Sequence, residues 1–482
     1  MVPGYLVLRA ADADATTVDL LLRWRTVAVA VRSIGLATAV TAVAVALGVP
    51  LAWLTVRTDL PRRRTWAVLA ALPLVVPSYI GAYLFVAALG PRGLVQGWLQ
   101  HLAGVERLPD IRGFGGATLV LALYTYPYVF VMAQAALQRS DPAVAEASRL
   151  LGASRWQTFL RVTVPELQSA VAAGGLLVAL YTLRDFGAVS IMRVDTLTRV
   201  IYVQYTAAFD RASASALALT LVAVALVVVG GEMRVERGSP RYSVGPGLRR
   251  PPQTVRLGRW RWPAVGFTAA VVFLALVLPA GVLGYWLARG IQAGEGVPGL
   301  VGPTISSGLA SALGAVVTVL AALPVAWLSV RRPSPLSRGI ERITYVGFAL
   351  PGIVVALALV FFGRRLGGPL YGSLAWLVVA YAILFLPQAV GAIRAALLQV
   401  RPVIEEAGRT LGQRPLGVLT TVTLPVVWPG LAAGLSLVFL TAMKELPATL
   451  VLSPLEFNTL AMQFWFAVDE SFFARAEAPA LV

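Results

Sequence analysis

Long apolar stretches alternate with short polar loops along the whole chain. In the first half they lie at roughly 29–56, 66–89, 116–138, 167–192 and 212–231. In the second they lie at roughly 264–288, 304–330, 343–362, 371–393 and 428–452. About 20 apolar residues suffice for a helix to cross the hydrocarbon core of a bilayer. Backbone groups in lipid must be satisfied internally, and these stretches lack the short alternation of barrel strands, so the pattern predicts membrane-spanning helices. The opening MVPGYLVLRA has no basic n-region, and no cleavable signal peptide is expected.

The polar loops set the orientation. Arg57, Arg62, Arg63 and Arg64 stand against Asp59, and Arg331, Arg332, Arg338 and Arg342 against Glu341. The stretch 232–261 carries eight arginines and two glutamates. By contrast, 291–303 has only Glu295, and 453–470 has Glu456, Asp469 and Glu470 with no base. Positive charge collects on the cytoplasmic side, so the first group is expected inside and the second outside. Arg364 and Arg365, in 363–370, are a mild exception.

The chain repeats itself. GVPLAWLTVR at 48–57 returns as LPVAWLSVR at 323–331, placing Trp53 against Trp327 and Pro77 against Pro351 at an offset of 274. Further on, Pro127 matches Pro387 and Glu146 matches Glu406 at an offset of 260, the difference falling in a longer external loop at about 91–115. An even number of spans separates the two Glu positions, so both face one side and the repeats are parallel. The expected fold is all-α: a polytopic membrane helical bundle of two parallel repeats, each of about six transmembrane helices. The chain looks clipped at both ends, leaving about ten complete spans. Residues 1–231 form the first repeat, 232–263 a basic linker and 264–482 the second repeat.

Composition removes other classes. The chain is 58% hydrophobic and 13% charged with a mean hydropathy of +0.77, where soluble proteins hold about 45–50% and about 25%. Cysteine is absent, so disulfides, thiolate nucleophiles and Cys-ligated metals are excluded. His101 is the only histidine, which excludes a histidine-rich metal cage and argues against a Ser-His triad. Lys444, the only lysine, is followed by Glu445, so no Gly-Lys-Ser/Thr phosphate loop exists; ATP, if used, is bound by another subunit. The net charge of +17 sits in loops between spans, which fits a membrane protein rather than a nucleic-acid partner.

One motif occurs twice. Asp141 and Pro142 open a short helix carrying Glu146, Ala147 and Ser148; Gly152 follows, then Val162 and Pro165. The second copy has Pro402, Glu406, Ala407, Gly408, Gly412, Val422 and Pro425. This reads as helix, glycine stop, second helix and proline at the next span. Val144, Leu150 and Leu151 give the first helix an apolar edge suited to another protein's groove.

With these residues the chain resembles the permease subunits of bacterial ABC importers, whose cytoplasmic Glu-Ala-Ala…Gly…Ile-x-Leu-Pro loop docks on an ATP-binding subunit. Ser148 and Gly408 depart from the third-position Ala, and Val replaces Ile in both copies. Two permease domains in one chain resemble the iron(III) permeases, with thiamine permeases close behind. ALPLVVPSYIGAY (71–83), LRDFGAVSIM (183–192), TRVIYVQYTAAFD (198–210) and MKELPATLVL (443–452) are similar to the iron group. The resemblance implies an inner-membrane, multi-pass permease with motif loops and linker in the cytoplasm. Its partners would be two copies of the ATP-binding subunit, an extracytoplasmic substrate-binding protein and the lipid bilayer, with no nucleic acid. Glu146, Ala147, Gly152 and Pro165, with Glu406, Ala407, Gly412 and Pro425, would form the docking loops. No catalytic residue, cofactor or resident metal is implied in this chain, and ATP hydrolysis would belong to the partner.

Charges inside the spans form a second constellation. Arg184-Asp185 and Lys444-Glu445 occupy equivalent positions. Intramembrane charges are costly and usually face the bundle interior. Pairing of Arg184 with Glu445 and of Lys444 with Asp185, across the two halves, would make either a gate on the pathway or a static clamp. Tyr124, Tyr126, Tyr128, Tyr202 and Tyr205 are expected at membrane interfaces. Two rivals remain: an ion-coupled secondary transporter using these charges as a relay, and a membrane enzyme, for which Asp185 and Glu445 alone are a poor set.

Overall fold

The computed structural model describes residues 23–91, 93–104, 109–139, 147–207, 211–238, 254–292, 299–400, 402–470 and 473–482. Among these, helices dominate, and extended pairing is limited to an isolated bridge between Thr58 and Val255. Eight helices are long and apolar enough to cross a membrane, beginning with Trp24–Arg57 and including Phe114–Gln138, Val301–Arg331 and Leu374–Leu397. Two of the expected spans are shorter as continuous helices. The stretch 343–362 is divided into Pro335–Ala349 and Gly352–Leu366, and the apolar part of Arg211–Gly238 is Ser213–Val228.

The breaks have causes in the sequence. Pro77 and Pro351 disfavour helical backbone in the residue before them. Val76 (φ −77°, ψ 126°) and Leu350 (φ −80°, ψ 123°) are accordingly extended, and a new helix starts at Ser78 and at Gly352. A second pair of breaks follows Arg184 and Met443, with helix resuming at Gly187 and Pro447. Pro127 and Pro387, by contrast, lie inside continuous helices.

The chain folds into two compact units, Asp14–Trp286 and one containing Leu287–Val482. The first unit therefore takes in most of the helix that the sequence repeat places at the start of the second half. Val271 and Ala275 of that helix share a core with Leu36, Val40 and Leu51 of Trp24–Arg57 and with Val120, Leu121 and Phe130 of Phe114–Arg139. Tyr124 and Tyr126 are also buried in this core, rather than standing at a membrane interface as expected. Tyr124 lies across Gly81, and that absence of a side chain is what makes room for its ring. In the other unit Leu377, Tyr381, Leu384 and Phe385 of Leu374–Leu397 are buried, as are Val319, Ala322 and Ala326 of Val301–Arg331.

Small residues allow the helices to approach. A Cβ on Gly48 would lie 3.0 Å from Phe130 N and Tyr126 O, and one on Gly174 would lie 2.7 Å from Val129 Cα. In lipid, close van der Waals contact of this kind supplies much of helix association. Gly174→Leu should therefore overpack the Phe114–Arg139 contact and cost about 1–3 kcal/mol. The expected result is a lower unfolding midpoint in detergent, against little change for Gly266→Leu, where a Cβ meets nothing within 4 Å.

Candidate functional site

Each motif loop is built by the same local chemistry. Gly152 (φ +89°) and Gly412 (φ +83°) adopt the left-handed conformation that ends a helix at little cost only for glycine. The following N–H groups close the helix end in Schellman fashion, Ala153 N to Ser148 O at 3.1 Å and Gln413 N to Gly408 O at 3.2 Å. In the first loop Ser154 and Gln157 cap the next helix reciprocally, at 2.9 and 3.2 Å. Both loops then pass through a single widened turn, Phe159–Thr163 and Leu419–Thr423, just before Pro165 and Pro425. Proline has no N–H for the helical ladder and crowds the preceding turn, so the widening falls where it is needed.

The two copies solve one packing problem differently. Ser148 and Thr158 bring their hydroxyl oxygens to 3.4 Å in the first loop. Their counterparts are Gly408 and Val418, and a Cβ on Gly408 would come within 3.2 Å of the Val418 side chain. A polar pair in one half thus replaces a small–branched pair in the other. The departures from Ala at the third motif position are compensated within each loop.

Both loops present apolar side chains outward. Leu150 and Leu151 are each 89% exposed and Leu411 84% exposed, with Val403 and Ile404 beside the second motif also exposed. Clustered exposed apolar side chains on a loop are the kind of surface that a partner can cover. Ala147, Glu406 and Ala407 are exposed, whereas Glu146 lies outside the described residues. Sequence reasoning passed over the neighbour of Glu406. Glu405 is buried, and its Oε1 accepts hydrogen bonds from Arg331 Nε at 3.1 Å, Arg331 Nη2 at 2.9 Å and Thr423 Oγ1 at 3.0 Å. Arg331 Nη2 also donates to Val400 O at 3.1 Å. The doublet Glu405-Glu406 was the available signal, because a helix turns adjacent residues to different faces.

The intramembrane carboxylates sit at the second pair of helix breaks. Asp185 is buried, and its Oδ1 accepts from the N–H groups of Ala188 at 3.0 Å and Val189 at 3.2 Å, capping the helix that resumes at Gly187. Its Oδ2 accepts from Ser78 Oγ at 2.5 Å, and Tyr181 OH donates to Ser78 at 3.1 Å. The first-half breaks at Pro77 and Asp185 therefore meet. In the second half Glu445 Oε1 accepts from Ala448 N at 3.2 Å and lies directly over Gly352. Gly352 is the repeat counterpart of Ser78. A longer acid over glycine thus replaces a shorter acid against serine. Ser307, Ser311, Tyr381 and Thr459 line a narrow crevice beside Glu445. Arg184 and Lys444 are half-buried next to these acids. No group of His, Asp or Glu placed to hold a metal occurs among the described residues.

Eight membrane-length helices and a duplicated, exposed helix–glycine–helix loop are the features of an integral membrane transport permease. The chain belongs to the family of binding-protein-dependent transport system inner membrane components, which residues 44–233 and 314–472 match, once in each half. It is 32% identical to the Fe(3+)-transport system permease protein FbpB 2 of Haemophilus influenzae, over 99% of this chain and 92% of that protein. It is 26% identical to the ferric transport system permease protein FbpB of Actinobacillus pleuropneumoniae, over 80% of this chain and 58% of that protein. It is also similar to the sulfate transport system permease protein CysT of Escherichia coli, 28% identical over 38% of this chain and 66% of that protein.

Proposed function

We propose that this chain forms the translocation pathway of an ATP-driven importer for ferric ion. The observation that carries the substrate is full-length similarity to a permease named for Fe(3+) transport. The observation that carries the coupling is the duplicated loop with its exposed leucines and the exposed Glu406. One ATP-binding subunit docks on each loop, at Glu146, Ala147 and Gly152 in one half and at Glu406, Ala407 and Gly412 in the other. Pro165 and Pro425 seat each loop against its membrane helix. The loops and the basic linker 232–263 face the cytoplasm, and a binding protein delivers the ion outside. ATP-driven closure of the two bound subunits draws the loops together and turns the pathway inward. The permease itself performs no bond chemistry, and hydrolysis belongs to its partner.

In this reading Asp185 and Glu445 hold the helix breaks open inside each half, and Arg184 and Lys444 beside them set the charge of the pathway and its gate. Breaks of this kind expose backbone at membrane depth only where protein or a cavity satisfies it.

The orientation is tested with single cysteines, since the native chain has none. A cysteine replacing the exposed Leu411 should react only with reagents that enter the cytoplasm. One replacing Leu455, which is fully exposed in the loop after Pro447–Leu452, should react with impermeant reagents from outside. The reverse pattern would overturn the placement of both loops.

A further inference from the structure

The membrane helices Trp24–Arg57 and Val301–Arg331 end on equivalent arginines, Arg57 and Arg331, at the repeat offset of 274. Their partners differ. Arg331 is ion-paired with Glu405 of the short motif helix Pro402–Thr410 at 2.9 Å, both side chains about one-tenth exposed. Thr423, in the widened turn leading into Leu424–Met443, donates to the same carboxylate oxygen, and Val400 O accepts from the same guanidinium. Four points of the second half are thus joined through one carboxylate and one arginine: the long membrane helix, the segment before the motif helix, the motif helix and the turn after it.

In the first half the counterpart of Glu405 is Ala145, which has no carboxylate to offer Arg57. The acid whose charge acts on Arg57 is Glu166, in the first turn of the membrane helix Val164–Arg184, and its second-half counterpart is Val426. Arg57 thus feels the charge of an acid on a membrane helix, whereas Arg331 is paired directly with an acid on the motif helix. A second cytoplasmic ion pair, Arg394 with Glu341 at 3.2 Å, also has no first-half equivalent, its positions being Gln134 and Ala67.

We propose that Glu405 is a positioning residue that latches the second motif loop to the helix Val301–Arg331 through Arg331, so that this loop and its membrane helix move as one body while the first loop moves against its own. The inference rests on the reading of these loops as docking sites for ATP-binding subunits. It makes the two halves unequal: force applied at the second loop passes directly into a membrane helix through a carboxylate–arginine pair that the first half, with Ala145 in place of Glu405, does not have. Buried ion pairs fix geometry in some proteins, and ion pairs and rigid elements are among the connections that carry coupling between distant sites.

The test uses spin-label distances in the full permease with its ATP-binding subunit. One cysteine pair replaces Thr410 and Val316; the first-half pair replaces Arg149, one residue before the counterpart of Thr410, and Ala42, the counterpart of Val316. All four positions are exposed. The second-half distance should stay fixed between the nucleotide-free and ATP–vanadate states, while the first-half distance shifts. Glu405→Ala should make the second pair shift as the first does, Glu405→Gln should do so partially, and Arg331→Glu with Glu405→Arg should restore the fixed distance. A wild-type second pair that shifts as far as the first overturns the latch, as does a Glu405→Ala protein whose second pair stays fixed. If no ATP-binding subunit binds the wild-type permease, the docking reading falls instead. The latch is then judged without nucleotide, where the second-pair distribution should be narrow in the wild type and broad in Glu405→Ala, and equal widths overturn it.

Discussion

Replacing Glu146 and Glu406 together with alanine should abolish uptake while the permease accumulates in the membrane at its normal level. Glu406 is exposed on a helix whose apolar neighbours also face outward, so the substitution removes nothing from the interior. Exposed positions of this kind usually change stability by less than about 0.5 kcal/mol. On the proposed docking reading, however, each acid is a charged group at the centre of an interface. Truncating one partner of a buried, hydrogen-bonded charge pair costs about 2–5 kcal/mol of binding, enough to reduce occupancy of each loop by a factor of 10 or more. A single substitution should do less harm, because the other loop still docks. Uptake and retention of the ATP-binding subunit are measured side by side. A double mutant that transports normally with the subunit bound would remove these acids from the coupling surface.

Asp185→Ala should have the largest effect on folding. The aspartate satisfies two backbone N–H groups and the Ser78 hydroxyl in a buried site. Each buried polar group left without a partner costs about 1–3 kcal/mol, so the loss should exceed about 3 kcal/mol and lower the amount of protein recovered from the membrane. Asp185→Asn keeps an acceptor for the N–H groups and should lose much less. The second half suggests a sharper test. Asp185→Glu alone should crowd Ser78, but combined with Ser78→Gly it recreates the Glu445–Gly352 arrangement and should recover most of the stability. Melting midpoints of the single and double variants give the answer. A double variant no better than Asp185→Glu would show that the two breaks are not interchangeable.

Much of the fold was legible because lipid forces the sequence to declare its helices. The ten apolar stretches are mainly helical, but those expected at 66–89 and 343–362 are interrupted before Ser78 and Gly352, breaks that the matching prolines Pro77 and Pro351 mark only in hindsight. Gly152 and Gly412 were readable as helix ends, since no other residue takes their left-handed backbone as cheaply. What escaped was long-range. Nothing in the periodicity says that Val271 and Ala275 pack into the first unit, because lipid-facing and helix-facing apolar residues look alike in sequence. Asp185 was read as a partner for a distant charge, yet its nearest demands are local N–H groups exposed by the break. The break itself carries no proline and so went unseen. Glu405 was overlooked beside Glu406 because the family pattern directs attention to one acid. The compensating pairs Ser78–Asp185 and Gly352–Glu445 were present in the offsets, but only packing gives two positions so far apart a reason to vary together.

The central proposal is that this permease moves ferric ion at the expense of ATP hydrolysed by partner subunits docked on its two motif loops. It is tested most directly in proteoliposomes containing the permease and its ATP-binding subunit, supplied with radioactive ferric ion on the cognate binding protein. Accumulation should require ATP and the binding protein, persist when ion gradients are collapsed, and vanish in the Glu146→Ala, Glu406→Ala double variant. Accumulation that proceeds without ATP and stops on collapse of the proton gradient would contradict the account.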